Sequence, residues 1–396
     1  MAKVTLSASG NDQTAALQTA VNVAPEGDTL EIICYGTARI DGVITVDKSL
    51  NIIQAIGKLH VGDVLFIPTA GDIKLINLNI VGSSSGFLVE TNTGNGFSLT
   101  VDNCRSTNHG VNVRGGDNIV IKNNRLGLGG SASITINGAE SLIECPVISG
   151  NRVYRENVAT GNCYQLANLV NFADIRHNLS FGGHTGFDCD DGYGLNINAC
   201  RAFDFDRAGF VLKPGTRPDG EVLRQGQFTS LYASSEAQQA KGFDFRLSAT
   251  LKDCIAEDVV NGFNVGIQSP KHARLDGCQS VNNRIGVYLY NGNVTVEGHY
   301  FEDCHLPMRI NGGKTHRLID AYIEDCDDVQ MIQTATATNG RLFIEHLRLS
   351  SGIDKPLVRV GAGFTVYAQD VDSCVLKHGA SSQGPLIIRG YSETTI

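Results

Sequence analysis

The chain has no tryptophan and three methionines in 396 residues, and only 18% of its residues are charged. No run of 18 apolar residues occurs, so no membrane-crossing helix is expected. The opening Met1-Ala2-Lys3-Val4-Thr5-Leu6-Ser7 carries no apolar core of a signal peptide, which points to a soluble protein made in a cytosol. Clusters of Lys and Arg are missing, and 32 basic against 41 acidic residues leave a net charge of −9. Nucleic acid and anionic membrane surfaces are therefore disfavoured as partners. There is no CxxC or HxxxH pair, which removes the common zinc and redox arrangements, and eleven cysteines are too few for a disulfide scaffold of this length. What is plentiful is glycine (45) and asparagine (30), within a composition that is 42% hydrophobic and so globular.

The cysteines recur with a period. Seven close similar phrases: Val101-Asp-Asn-Cys104, Ile197-Asn-Ala-Cys200, Leu251-Lys-Asp-Cys254, Leu275-Asp-Gly-Cys278, Phe301-Glu-Asp-Cys304, Ile323-Glu-Asp-Cys326 and Val371-Asp-Ser-Cys374. Their intervals are near one, two or four multiples of about 24, the mark of an internal repeat. A second phrase keeps the same period: Gly86-Phe87, Gly110-Val111, Gly186-Phe187, Gly209-Phe210, Gly242-Phe243, Gly262-Phe263 and Gly286-Val287 each open an alternating segment. Alternation reads as strand, while Gly, Asn and Asp supply the tight and left-handed turns between strands. Repeats of two or three strands without helices predict coils of about 24 residues stacked through parallel hydrogen bonds. The seven cysteines then form one inward ladder of reduced, poorly reactive thiols. Cys189 faces inward as well. Cys34, Cys145 and Cys163 remain candidates for exposure and for a disulfide to a partner.

The Gly phrases also sort side chains by face. Phe87, Val111, Phe187, Phe210, Phe243, Phe263 and Val287 point inward, as do Val89, Val113, Cys189, Leu212, Phe245, Val265 and Leu289. Outward, coil by coil, come Leu88/Glu90, Asn112/Arg114, Asp188/Asp190, Val211/Lys213, Asp244/Arg246, Asn264/Gly266 and Tyr288/Tyr290, with Arg309 and Asn311 extending the ribbon. Such a ribbon suits oligosaccharide, since amides and charges meet hydroxyl groups and aromatic rings meet apolar sugar faces. It also suits an ordinary solvated sheet. Candidate glycan contacts are Asn112, Arg114, Lys213, Asp244, Arg246, Tyr288 and Tyr290, joined by Arg217 and Arg224 from the inserted segment 214–226.

The Cys- and Asn-rich coils resemble the right-handed parallel β-helix of the pectate-lyase superfamily over roughly residues 40–390. The start is similar too, in Asn11-Asp-Gln-Thr-Ala-Ala-Leu-Gln-Thr-Ala-Val-Asn22, Pro25-Glu-Gly-Asp-Thr-Leu-Glu31, Ile40-Asp-Gly-Val-Ile-Thr-Val46 and Leu50-Asn-Ile-Ile53. The resemblance implies an all-β fold with a short capping helix: a cap over 1–39, the β-helix over 40–390 and a tail over 391–396. Leu17 and Val21 share a face of that helix, and Asp12 can cap it. Phage tail-spike members imply a virion-surface appendage, a homotrimer, and host surface polysaccharide and other virion proteins as partners.

The acid set of polygalacturonase-like hydrolases is reduced here to Cys189-Asp190-Asp191-Gly192, and where alginate epimerases carry Tyr and His this chain has Thr185 and Asp190. Catalysis would use Asp188 and Asp190, whose roots lie about 6.6 Å apart at 3.3 Å per residue, a spacing inverting glycoside hydrolases accept. An ion pair of Asp190 with Lys213 one coil away is the ordinary alternative. A lyase base could come from His184, Arg176 or Lys213. Asp188, Asp190 and Asp191 match neither an EF-hand loop nor the glycine-rich calcium nonapeptide, so no metal and no cofactor are expected. Three function classes follow: a glycan-binding virion appendage, a polysaccharide depolymerase, and a structural decoration or collar protein.

Overall fold

The computed structural model describes residues 1–82, 85–91, 96–127, 132–138, 143–155, 160–168, 170–190, 192–213, 227–246, 248–266, 272–312, 314–326, 332–334, 340–350, 358–369, 371 and 384–389. Cys374, Arg217, Arg224, Asp191 and the tail 391–396 lie outside them. The described chain is nearly all β, a parallel β-solenoid with one helix, Thr14–Val23. No described helix is long and apolar enough to cross a membrane. Two compact units are present, Met1–Arg201 with Gly215–Leu223, and Ala202–Pro214 with Arg224–Ile396.

In the first unit the helix buries Leu17 and Val21, as its apolar spacing requires. Asp12 Oδ1 accepts the N–H groups of Thr14 at 2.9 Å and Asp41 at 3.0 Å, so one carboxylate ties the helix start to the first coils. Strands then stack in parallel register: Gly71–Ile76, Phe97–Asp102, Asn118–Lys122, Val147–Ser149, Asp174–Arg176 and Asn196–Asn198. Each is followed by a left-handed residue: Asn77, Asn103, Asn123, Gly150, His177 or Ala199, with φ from 49° to 65°. That bend turns the next side chain into the core. The inward column reads Leu78, Cys104, Asn124, Asn151, Asn178, Cys200, all buried.

The three asparagines form a chain of amides. Asn151 Oδ1 accepts from the Asn124 backbone N–H at 3.0 Å and from Asn124 Nδ2 at 2.9 Å, while Asn151 Nδ2 donates to Ile121 O and to Asn178 Oδ1. Asn178 repeats the pattern with Ile148 O, and Asn124 Oδ1 takes the Cys104 N–H. Most buried polar groups in folded proteins are satisfied in some such way.

The second unit has two such corners. Strands Gln227–Thr229, Thr250–Lys252, His272–Asp276, Asn293–Glu297, Thr315–Ile319 and Gly340–Glu345 end in left-handed Ser230, Asp253, Gly277, Gly298, Asp320 and His346. They deliver Leu231, Cys254, Cys278, His299, Ala321 and Leu347 inward. A second corner, bent at Asp258, Asn282, Asp303 and Asp325, delivers Val259, Asn283, Cys304 and Cys326. The expected single ladder is therefore split. Cys254 and Cys278 share one corner, Cys304 and Cys326 the other, and the period misled because both corners recur once per coil. All six described ladder cysteines are buried free thiols, as is Cys189. Burial pushes Cys104 and Cys200 up to about 12. Cys34 and Cys163, expected as candidates for exposure, are also buried, since each lies at an inward strand position; Cys145 is exposed.

Candidate functional site

The Gly-phrase strands form a sheet of their own. In the first unit it holds Ile44–Val46, Val64–Pro68, Gly86–Glu90, His109–Val113, Ala132–Asn137, Asn162–Ala167 and Thr185–Asp190. Four of these, Ile44–Val46, Val64–Pro68, Ala132–Asn137 and Asn162–Ala167, carry no Gly-Phe or Gly-Val phrase and so escaped the sequence pattern. The inward assignments hold for Val111, Phe187, Val89, Val113 and Cys189. The pair Phe87 and Leu88 is reversed: Leu88 is fully buried and Phe87 half-buried. The cause is one extra residue, because Gly110 pairs with Phe87 while Val111 pairs with Val89 and Leu88 is skipped.

The outward row of this unit, read by register, is Glu90, Asn112, Thr135, Gln165 and Asp188. Asn112 Nδ2 donates to Glu90 Oε1 at 2.8 Å, and Asn162 Nδ2 to Asp188 Oδ2 at 2.9 Å. Asp188 and Asp190 share the outer face of one strand and are both half-buried. His184 immediately precedes that strand, whereas Arg176 lies on the other sheet, ion-paired with Asp174 at 2.7 Å. Arg114 is exposed just beyond its strand. Among the described residues no group of three or more His, Cys, Asp and Glu gathers as a metal site.

In the second unit the corresponding strands are Ala208–Lys213, Lys241–Phe245, Asn261–Gly266, Ile285–Asn291, Leu306–Ile310, Ile332–Thr334 and Val358–Arg359. Its inner rings stack one per coil, Phe210 on Phe243 at 5.1 Å and Phe243 on Phe263 at 4.8 Å. The glycines of the phrase sit where the chain closes on the next coil; a Cβ at Gly242 would lie 2.7 Å from Gly262 O. The outer row is Val211, Asp244, Asn264, Tyr288, Arg309, Gln333 and Arg359.

Asp244 is the hub of that row. Though it faces outward by alternation, it is 1% exposed, because neighbouring side chains close over it. Arg246 grips it with two donors, Nη2 at 3.0 Å and Nε at 3.3 Å; Asn264 Nδ2 donates at 3.0 Å and Lys241 Nζ lies at 3.4 Å. Burial pushes the carboxyl up, but the Arg246 hydrogen bonds, the two cations and Asn264 together outweigh it, and Asp244 is held below the ordinary carboxylate range. It is an anchor of charge rather than a proton donor.

Arg246 also reaches the Tyr290 hydroxyl. Tyr290 is itself an extra residue: Val265 pairs with Leu289 and Gly266 with Asn291. The bulge lays its ring on Gly266, where a Cβ would fall inside the ring. Tyr288 lies beside it, the two rings 5.9 Å apart and tilted by 33°. Asn311 Nδ2 donates to Tyr288 Oη at 3.0 Å, and the Arg309 guanidinium stands over the Tyr288 ring at 5.7 Å. Six residues expected from the sequence thus meet on one face: Asp244, Arg246, Asn264, Tyr288, Tyr290 and Arg309. Lys213 ends the first strand of this unit, half-buried. Lys241, Gln333 and Arg359 were missed; Lys241 precedes its Gly phrase, and the strands of the other two have none.

No family model and no curated protein matches the chain. Solved structures similar to it include the catalytic domain of a GH87 α-1,3-glucanase bound to tetrasaccharides, at 12% identity and a TM-score of 0.44, covering 92% of this chain and 68% of that one. Another is the A-module of the Azotobacter vinelandii mannuronan C-5 epimerase AlgE4, at 13% identity and a TM-score of 0.37, covering 97% and 95%. A third is a mutant of the PL6 family alginate lyase AlyGC, at 8% identity and a TM-score of 0.20, covering 100% and 98%.

Proposed function

We propose that the chain recognises polysaccharide through the outer face of the second unit. The observation that carries this reading is the Tyr288 and Tyr290 pair set beside the Asp244, Arg246 and Asn264 network. Two half-exposed rings offer apolar ground for sugar faces, and fixed amides and charges beside them offer partners for hydroxyl groups. The network is already braced by its own hydrogen bonds, so ligand binding has little side-chain entropy left to remove. In the setting implied by the tail-spike resemblance, the ligand is a host surface polysaccharide, the site is on a virion, and the assembly is a homotrimer, which light scattering tests directly.

The decisive experiment is binding to a panel of bacterial surface polysaccharides by wild type and by the Tyr288→Ala, Tyr290→Ala double variant. Binding weakened by about 1–2 kcal/mol, or roughly 5- to 30-fold, is expected. Equal binding by the two proteins would remove the reading. A depolymerase is the second reading, favoured by Asp188 and Asp190 on one strand face of the first unit. It requires oligosaccharide release by wild type that the Asp188→Asn, Asp190→Asn double variant loses, since acid and base groups each supply about 10²- to 10⁴-fold.

A further inference from the structure

The cations of the outer face differ in what already holds them. Arg246 and Lys241 are engaged by Asp244. Arg309 is not: among the described residues it makes no ion pair, its Nε is buried without a hydrogen-bond acceptor, and its guanidinium is positioned by the Tyr288 ring. Arg359 likewise has no ion pair among the described residues and shares the outward column, in the register Arg309, Gln333, Arg359. Two coils separate the pair, or about 9.6 Å at 4.8 Å per coil. In a chain of net charge −9, this row brings together two half-buried arginines with no acid among Tyr288, Arg309, Gln333 and Arg359.

An arginine stacked on a ring, with its donors unengaged, is pre-organised to take a planar or tetrahedral oxyanion. From this we infer that the polysaccharide carries anionic substituents, carboxylate or sulfate, and that Arg309 receives one of them while Arg359 receives another about two coils along. Tyr288 then holds both the sugar face and the arginine that reads its charge. Asp244 prevents Arg246 and Lys241 from competing for the same group. The inference rests on the proposed polysaccharide-binding role and narrows its ligand.

The test uses the full chain and a panel of uronate-bearing and sulfated polysaccharides, each offered both native and stripped of charge, by carboxyl reduction or by desulfation. At least one native polymer should bind, and its uncharged form should bind at least 10-fold more weakly. Arg309→Gln should cost at least 10-fold on the native polymer and under 2-fold on the stripped one, Arg359→Gln less on the native polymer, and Arg309→Lys should restore part of the loss. The carboxylated and sulfated arms tell the two anions apart. Equal binding to native and stripped polymer, an Arg309→Gln variant that binds the native polymer as wild type does, or no charged polymer bound at all would each overturn the inference. Tyr288-dependent binding of neutral polymers alone would overturn it too, yet leave the polysaccharide-binding role standing.

Discussion

The two units build the same corner from different chemistry. In the first, the position after the left-handed residue holds Leu78, Cys104, Asn124, Asn151, Asn178 and Cys200, and its three consecutive asparagines hydrogen-bond one another and the backbone. In the second it holds Leu231, Cys254, Cys278, His299, Ala321 and Leu347, which contribute mainly volume. The bend itself is common to both, at φ between 47° and 65°. The coil is thus specified by backbone conformation at the corner, and the inward side chain is free to be amide, thiol, imidazole or alkyl. The outer faces diverge as well: Glu90, Asn112, Thr135, Gln165 and Asp188 in one unit, and in the other Asp244 and Asn264 joined by Tyr288, Tyr290, Arg309 and Arg359.

The sharpest way to break this comparison is to exchange the corner chemistry. Asn151→Ala removes both acceptor and donor from the amide chain and strands the groups of Asn124, Asn178 and Ile121; a loss of about 3–5 kcal/mol in urea unfolding is expected. Cys278→Ala, at the matching position, should cost only about 1 kcal/mol. Similar losses at the two sites would show that the amides are mere filler.

Acid should weaken the second unit through its buried imidazoles. His299, packed against Ser280, is pushed down to about 3 and His316 to about 4 by burial, so each is neutral in the fold. The unfolded chain takes up protons first as pH falls below 6.5. Stability is therefore full above that pH and declines toward pH 3–4. His299 alone contributes about 3 kcal/mol of loss between pH 6.5 and 4. His299→Leu, which copies Leu231 and Leu347, should flatten that slope; an unchanged acid limb in urea titrations from pH 7 to 4 would contradict the assignment.

Smaller effects sharpen the faces and the thiols. Gly266→Ala should displace the Tyr290 ring and weaken polysaccharide binding about 5-fold, or about 1 kcal/mol, while the unfolding free energy changes by no more than about 0.5 kcal/mol. Native-state labelling by a thiol reagent should modify Cys145 promptly while Cys104, Cys163 and Cys200 resist, their thiols lying near 12 through burial. Mass spectrometry of the labelled peptides checks this.

The parallel solenoid was legible in the sequence because its Cys and Gly phrases are periodic, and alternation within Gly phrases found Asp244, Arg246, Tyr288 and Tyr290. The amide chain was not, since Asn in a turn and Asn in a corner look alike without a partner to identify them. Two corners per coil share one period, so spacing could not separate Cys254 and Cys278 from Cys304 and Cys326. The extra residues Leu88 and Tyr290 were invisible for a related reason: a period of two carries no record of where one residue is skipped.

Those skipped residues have a consequence for how the fold can vary. The strand that follows Leu88 in the chain, Phe97–Asp102, pairs residue for residue with Gly71–Ile76, and the strand that follows Tyr290, Asn293–Glu297, pairs residue for residue with His272–Asp276. Each disturbance ends within its own coil because the left-handed bend and the parallel ladder set register afresh on every turn. Insertions and deletions on the outer face therefore stay local, and one turn can lengthen or shorten while every hydrophobic layer beneath keeps its place.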